Sequence, residues 1–472
     1  MESSCLIWFR KDLRLSDNPA VTAAKNFKHV YPVYIIDDDI YENKFLGGAS
    51  IWWLENSLNS LNLDMKNSLK VFKGDSLKII PKICDDLKIN SVFWNRCYEK
   101  DRIFKDTKLK EYLLANNIEA KSFNASLLWE PWIIKNKSGN PYKVFTPFFK
   151  SGCLESSSPR KPLKKPENIL FKKINTMLEE YKFNYTTEKN HWSAKFHKYW
   201  KVGELGAKKN FDKFLNNGAK NYSVGRNFPS AENVSKLSPY LHWGEISPFE
   251  VWYGAKSKMS GENKNVFLSE IGWREFAYHL LYNFPNLQEK NLKNNFDSFP
   301  WQKNETFLKR WEKGMTGFPI VDAGMRELWE TGYMHNRVRM ITSSFLVKNL
   351  LQNWQLGKDW FWDCLLDADA ASNSASWQWV AGTGTDATPF FRIFNPITQS
   401  QKFDESANYI KKYLPELKNL PTKLIFSPFE YDKHTLKKYG VVLGENYPSP
   451  IINYSESRKR AINTYTKFIN KD

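Results

Sequence analysis

The feature that most constrains this chain is a change of hydrophobic period partway along it. Residues 5–9, 30–36, 70–72, 91–94 and 118–123 are short runs of apolar, β-branched and aromatic side chains. Between them, residues 50–63, 77–87 and 102–116 carry longer helical patterns. Strand and helix alternate, a pattern that calls for a parallel, doubly wound sheet covered by helices. Farther on, strands nearly vanish, and residues 204–216, 266–282, 305–313, 321–331 and 336–352 read as successive amphipathic helices. The expected architecture is a Rossmann-like α/β domain over 1–130, a Ser/Lys/Pro-rich connector over 131–195, and a larger all-α domain over 196–472.

A chain of 472 residues has room for two or three domains with full cores, so no disulfide or metal staple is required. Cys5, Cys84, Cys97, Cys153 and Cys364 are odd in number and form no C-x-x-C pair, which predicts reduced, mostly buried thiols. No apolar run approaches the roughly 18 residues of a membrane span. The first residues lack a signal-peptide pattern, and a cytoplasmic protein is expected. A formal net charge of +18 favours a polyanionic partner through counterion release and steering. The sequence has no Walker A loop, H-E-x-x-H pair or nucleophile elbow, so phosphoryl transfer, zinc hydrolysis and serine hydrolysis lack support.

Nineteen tryptophans exceed what packing needs, because each buried indole N–H must find a partner. They centre on Trp377-Gln378-Trp379, which follows Asp367-Ala368-Asp369 and Asn373 and precedes Gly382-Thr383-Gly384. Buried carboxylates need partners. With no histidine nearby the D-x-D pair makes a poor metal site, and pairing with Arg339 or with donors on a heterocycle is preferred. Gly382-Thr383-Gly384 follows no strand and so is no dinucleotide fingerprint. At helical spacing Asn336, Arg339 and Met340 cluster on one face, as do Glu270, Trp273 and Arg274. The plain alternatives are solvated arginines with a core methionine, and an intrahelical Glu/Arg pair. Asp37-Asp38-Asp39 ends a predicted strand, as a ligand loop or a solvated turn.

Several motifs together resemble the photolyase/cryptochrome family of flavoproteins, and within it the class I cyclobutane pyrimidine dimer photolyases. They are Trp8-Phe9-Arg10-Lys11-Asp12-Leu13-Arg14, Tyr142-Lys143-Val144-Phe145-Thr146-Pro147-Phe148, Trp273-Arg274-Glu275-Phe276, Met334-His335-Asn336-Arg337, and Trp377-Gln378-Trp379 through Phe394-Asn395-Pro396. The resemblance runs nearly end to end and implies one FAD in the helical domain, active as FADH⁻. It assigns Tyr222, Val234, Ser235, Lys236, Leu237, Ser238 and Arg274 to the ribityl and phosphate region. Asp367, Ala368 and Asp369 go to the isoalloxazine edge, Asn373 to the flavin N5, and Arg339 to a pair with Asp367. Val234 departs from the threonine often found there.

By the same transfer, Glu270, Trp273, Asn336, Met340 and Trp379 would meet a flipped-out pyrimidine dimer. Arg226, Arg337 and Gln399 would contact flanking DNA. Trp377, Trp354 and Trp301 would relay electrons to the flavin; taken singly, each reads more simply as a core tryptophan. The implied activity is light-dependent repair of UV-damaged DNA by a monomer. An antenna pigment is expected in the α/β domain near Asp101, where Lys100-Asp101 replaces the usual Asn-Glu pair of folate binders; a reduced folate (methenyltetrahydrofolate) is favoured over deazaflavin.

The main rival is a cryptochrome photoreceptor, opposed by Asn373 where plant-type receptors carry aspartate, by the complete lesion set, and by the lack of a C-terminal signalling extension. A (6-4) photolyase would want histidines where this helix offers Asn336 and Met340. A non-catalytic DNA-binding protein leaves the pocket residues unexplained.

Overall fold

The computed structural model describes residues 3–37, 46–182 and 192–470. Asp38 and Asp39 of the acidic run and residues 183–191 of the connector lie outside them. By contacts the chain falls into two compact units: residues 1–220, 235–285 and 366–370 form one, and 221–234, 286–365 and 371–472 the other.

The first unit holds a five-stranded parallel sheet of order β3-β2-β1-β4-β5. Its strands are β1 (Ser4–Phe9), β2 (His29–Ile36), β3 (Lys70–Lys73), β4 (Ser91–Asn95) and β5 (Glu119–Phe123). Register is set by pairs such as Cys5↔Val30 and Cys5↔Ser91. The helices Gly48–Asp64, Ser76–Leu87 and Lys100–Ala115 supply crossovers. One sheet-and-helix core joins Leu6, Trp8, Val33, Ile80, Val92, Trp94 and Leu109. The expected fold class is present.

Order reverses between β1 and β4, the crevice where open α/β sheets commonly take ligands. Here the protein's own charges cross it. Arg10 pairs with Asp106 at 2.6 Å, Lys11 with Glu99 at 2.5 Å, and Asn95 donates to Asp12 at 2.5 Å. Burial opposes the charge on Glu99, but Lys11 and Arg102 outweigh it and bring the carboxyl down to about 2.

The connector is more structured than its composition suggests. Val30 donates to the Leu170 carbonyl at 3.2 Å, Lys172 to the Val30 carbonyl at 2.8 Å, and Tyr181 to the Val71 carbonyl at 2.8 Å. Ile174 joins the sheet core. These are backbone pairings, invisible to hydrophobic period.

Glu245 illustrates the cost of a buried carboxylate. It has no solvent exposure, and burial raises it to about 8, only partly offset by the Gly203 N–H at 2.8 Å. Because the folded-state value lies above the unfolded one, its contribution is fully present below about pH 4.5 and is lost as pH rises through about 8. Glu245→Gln should therefore gain on the wild type by a few kcal/mol between those limits, read from melting curves across pH. A constant difference between the two proteins would show that Glu245 is ionised in the fold throughout.

In the second unit, Phe296, Phe299, Leu351, Phe390, Ala461 and Phe468 form a core, with Trp301 and Tyr465 packed against it. One sequence expectation changes here. Residues 336–352 are not a single α-helix: Asn336–Ser344 is α-helical, Phe345–Asn349 is a π turn, and Leu351 takes φ +51°. An apolar run hides such a bulge, because π turns have no compositional mark.

Candidate flavin and nucleic-acid site

The first unit presents its share of the predicted residues on the helix Gly261–Asn283. Glu270, Trp273 and Arg274 are all half-buried. Trp273 is already stacked on one face, by Phe145 at 3.8 Å and 11°. Phe145 stacks in turn with Phe149. Sequence reasoning missed this support, although Phe145 stood in a quoted motif. Arg274 donates to the Ser126 carbonyl at 2.7 Å, pairs with Glu275 at 3.1 Å and lies over the Tyr278 ring. Burial raises Glu275 to about 7 against the pull of Arg274 and the N–H groups of Trp129 and Leu128.

The segment Leu366–Ala370 is pinned by three side chains. Trp243 Nε1 donates to the Leu366 carbonyl at 3.2 Å, the Tyr278 hydroxyl donates to Asp369, and His242 Nδ1 lies 3.5 Å from the same carboxylate oxygen. Burial pushes His242 below its ordinary range, so at neutral pH it meets Asp369 as an uncharged ring. Gly244, at φ +70°, ends the short helix Ser238–Trp243 hard against β1's exit: a Cβ there would lie 2.2 Å from the Lys11 carbonyl oxygen. Arg14 donates to its carbonyl at 2.8 Å. Burial disfavours the Lys11 charge, yet Glu99 and Asp369 prevail and raise it. His242 and Tyr278 thus meet Asp369 directly, Lys11 acts on it through charge, and none of the three was assigned a role from sequence.

Ser235 accepts at its carbonyl from Asn210 at 2.6 Å, Lys236 is left-handed at φ +50°, Leu237 is buried, and Ser238 opens the helix Ser238–Trp243. Asp101 is exposed in the first turn of Lys100–Ala115.

In the second unit the Trp377-Gln378-Trp379 centre divides cleanly. Trp377 is buried edge-on against Trp311 and Phe361, and Gly357 makes room for it. Gln378, fully buried, donates to the carbonyls of Leu287 and Lys290 at 2.9 Å and accepts from the Leu292 N–H. Trp379 is half-buried. The N–H groups of Gly382, Thr383 and Gly384 all reach the Gln378 carbonyl at 3.1 Å, so the Gly-Thr-Gly run is a helix C-terminal cap. Asn373 is buried and donates to the Lys358 carbonyl at 3.1 Å. Trp354 is buried, its N–H on Asn291 at 2.9 Å, while Trp301 is partly exposed beside Phe299.

The basic residues gather around an aromatic ring. Arg337 lies over Phe403 at 4.4 Å and donates to Asn227 at 2.6 Å; Lys402 covers Phe403 at 5.4 Å, and Phe228 packs against it. Arg226 lies over Tyr222. Burial, then Arg226 and Arg392, lowers the Arg337 guanidinium from its ordinary value. Arg226 and Arg392 thus both press on Arg337, a repulsion that an anion would relieve. Arg392, Asn227 and Phe403 are additions to the predicted set. Asn336 is exposed at the start of Asn336–Ser344, Met340 sits 3.9 Å from Arg337 Nη1, and Arg339 donates to the Met334 carbonyl at 2.7 Å. Gln399 is half-buried on Pro396–Phe403, a helix capped by Asn395.

Asp367 and Asp369, both buried carboxylates of the first unit, have the acceptor chemistry that suits the N–H groups of a heterocycle. Residues 5–167 match the DNA photolyase family and residues 267–467 the FAD binding domain of DNA photolyase. The chain is 45% identical over 98% of its length, and 97% of the relative's, to a deoxyribodipyrimidine photo-lyase of Agrobacterium fabrum. It is 34% identical, over 96% of its length and 69% of the relative's, to cryptochrome-1 of Arabidopsis thaliana. A solved bacterial class III photolyase of Agrobacterium tumefaciens superposes with a TM-score of 0.92 at 42% identity, covering 100% of this chain and 98% of the other. With its α/β sheet, its FAD-binding helical domain and relatives matched almost end to end, the chain belongs to the photolyase/cryptochrome family.

Proposed function

We propose that this protein is a DNA photolyase that splits cyclobutane pyrimidine dimers under blue or near-UV light. The observation that carries the reading is the Arg226/Arg337/Arg392 cluster with its aromatic backing, a surface suited to backbone phosphates. Bound FAD would supply the light-driven electron donor. Asp367, Ala368, Asp369, Asn373 and Arg339, with Tyr222, Arg274 and residues 234–238, are the proposed holders of that cofactor. Glu270 would hydrogen-bond the polar edge of the flipped dimer. Trp273, backed by Phe145, and Trp379 would offer ring faces to it, and Asn336 and Met340 would line its pocket. Arg226, Arg337 and Gln399 would bind the flanking strand. Trp301, Trp354 and Trp377 are the proposed electron relay.

Within the family, the motifs favour class I, and the 42% identity to a class III photolyase supports class III as the other reading. For the antenna a reduced folate is preferred to deazaflavin; absorbance and mass of the pigments released on denaturation decide between them. The cryptochrome reading has support from the Arabidopsis relative. Blue light on the reduced, FAD-containing protein with dimer-bearing oligonucleotide should restore intact pyrimidines. No repair at normal FAD content would leave the photoreceptor reading standing. Binding should also weaken steeply with salt, with a log–log slope near −0.9 per phosphate contact.

A further inference from the structure

Lys348 is a cation in an unexpected place. It lies in the π turn Phe345–Asn349 with no solvent exposure. Its ammonium donates to the carbonyl oxygens of Arg392 at 3.0 Å and Pro389 at 3.4 Å, and lies 5.5 Å from the Phe390 ring centroid. Among the described residues no carboxylate pairs with it; burial first, and repulsion from Arg392 second, bring it down to about 7. A methionine would fill the same length without burying a charge, so packing alone gives no reason for lysine.

What the ammonium does is clasp a turn. The Arg392 N–H closes on the Pro389 carbonyl at 2.9 Å, and Lys348 binds the carbonyls at both ends of that turn. Phe390, between them, is buried and stacked on Tyr465 at 4.8 Å and 10°. Just beyond, Phe394 N–H meets Ser344 Oγ at 3.3 Å and Asn395 caps the helix carrying Gln399 and Phe403. Arg392 itself stays exposed, its charge felt by Arg337.

We propose that Lys348 is a positioning residue for nucleic-acid binding: by clasping the turn 389–392 it aims the Arg392 guanidinium at the backbone phosphates met by Arg226 and Arg337. The inference rests on reading the arginine cluster as a DNA surface. Lys348 touches no DNA; it acts through Arg392.

The test is fluorescence anisotropy of full-length, FAD-containing protein on a dimer-bearing duplex across a salt series. Lys348→Met and Arg392→Ala should each weaken binding about five- to tenfold at low salt and reduce the salt slope by about one contact. The double variant should bind no worse than Arg392→Ala alone, the signature of one residue acting through the other. Lys348→Gln, which keeps N–H donors for the turn, should recover part of the affinity and serves if the methionine variant fails to fold. Unchanged affinity and slope in both Lys348 variants, or losses that multiply in the double variant, overturns the proposal. Arg337→Ala separates the two levels: if it too binds normally, the DNA-surface reading fails; if it binds weakly while the Lys348 variants bind normally, only the role of Lys348 fails.

Discussion

Trp301→Phe is expected to slow light-driven reduction of the oxidised flavin by at least roughly tenfold, about 1.4 kcal/mol or more in barrier, while repair by chemically reduced protein persists. The indole is the partly exposed member of the proposed relay, whereas Trp354 and Trp377 are buried. A phenyl ring keeps the contact with Phe299 but is far harder to oxidise, so the fold should survive and the electron path should not. Flavin absorbance under steady blue light, with an external reductant in solution, follows the reaction directly. Normal photoreduction in the variant would remove Trp301 from the path, and loss of repair by the reduced form would give it a different job.

Gly357→Ala should be among the most damaging single-methyl changes in the molecule. A Cβ there would sit 2.1 Å from Trp377 Cη2 and 2.6 Å from Leu346 Cδ2, so the indole must move or the helix Trp354–Cys364 must shift. Overpacking of this kind costs about 1–3 kcal/mol and sometimes more. Denaturant melts should show the loss, and photoreduction should slow as well if Trp377 carries electrons. An unchanged midpoint would mean that the indole has room to rotate away.

The α/β sheet was legible because its strands are short apolar runs set between helical patterns, and β1 to β5 fall close to the intervals read from those runs. The helical character of the C-terminal part was legible for the same reason. Less visible were features fixed by partners distant in sequence. Nothing in Tyr278 or His242 announces that both converge on Asp369, because the first lies on Gly261–Asn283 and the second on a separate short helix. Arg392 stood in a quoted motif, but its neighbourhood with Arg337 needs the fold. The π turn at 345–349 escaped because an apolar stretch fits either helix. The roles given to Trp377 and Trp379 came from family resemblance; their different burial is what the fold adds.

The backbone pairing of residues 170–181 with β2 and β3 bears on modularity. On its outer side, the beginning of β2 extends past the start of β3, and Leu170 to Lys172 bond to the backbone left open there. Unpaired strand edges invite association with other chains. The connector therefore acts as a hem on the sheet, and Ile174 fastens it into the core. A fragment cut at residue 130 would carry an open seam and a vacant slot. The natural unit of recombination for the sheet reaches at least to Tyr181, well into what composition alone marks as linker.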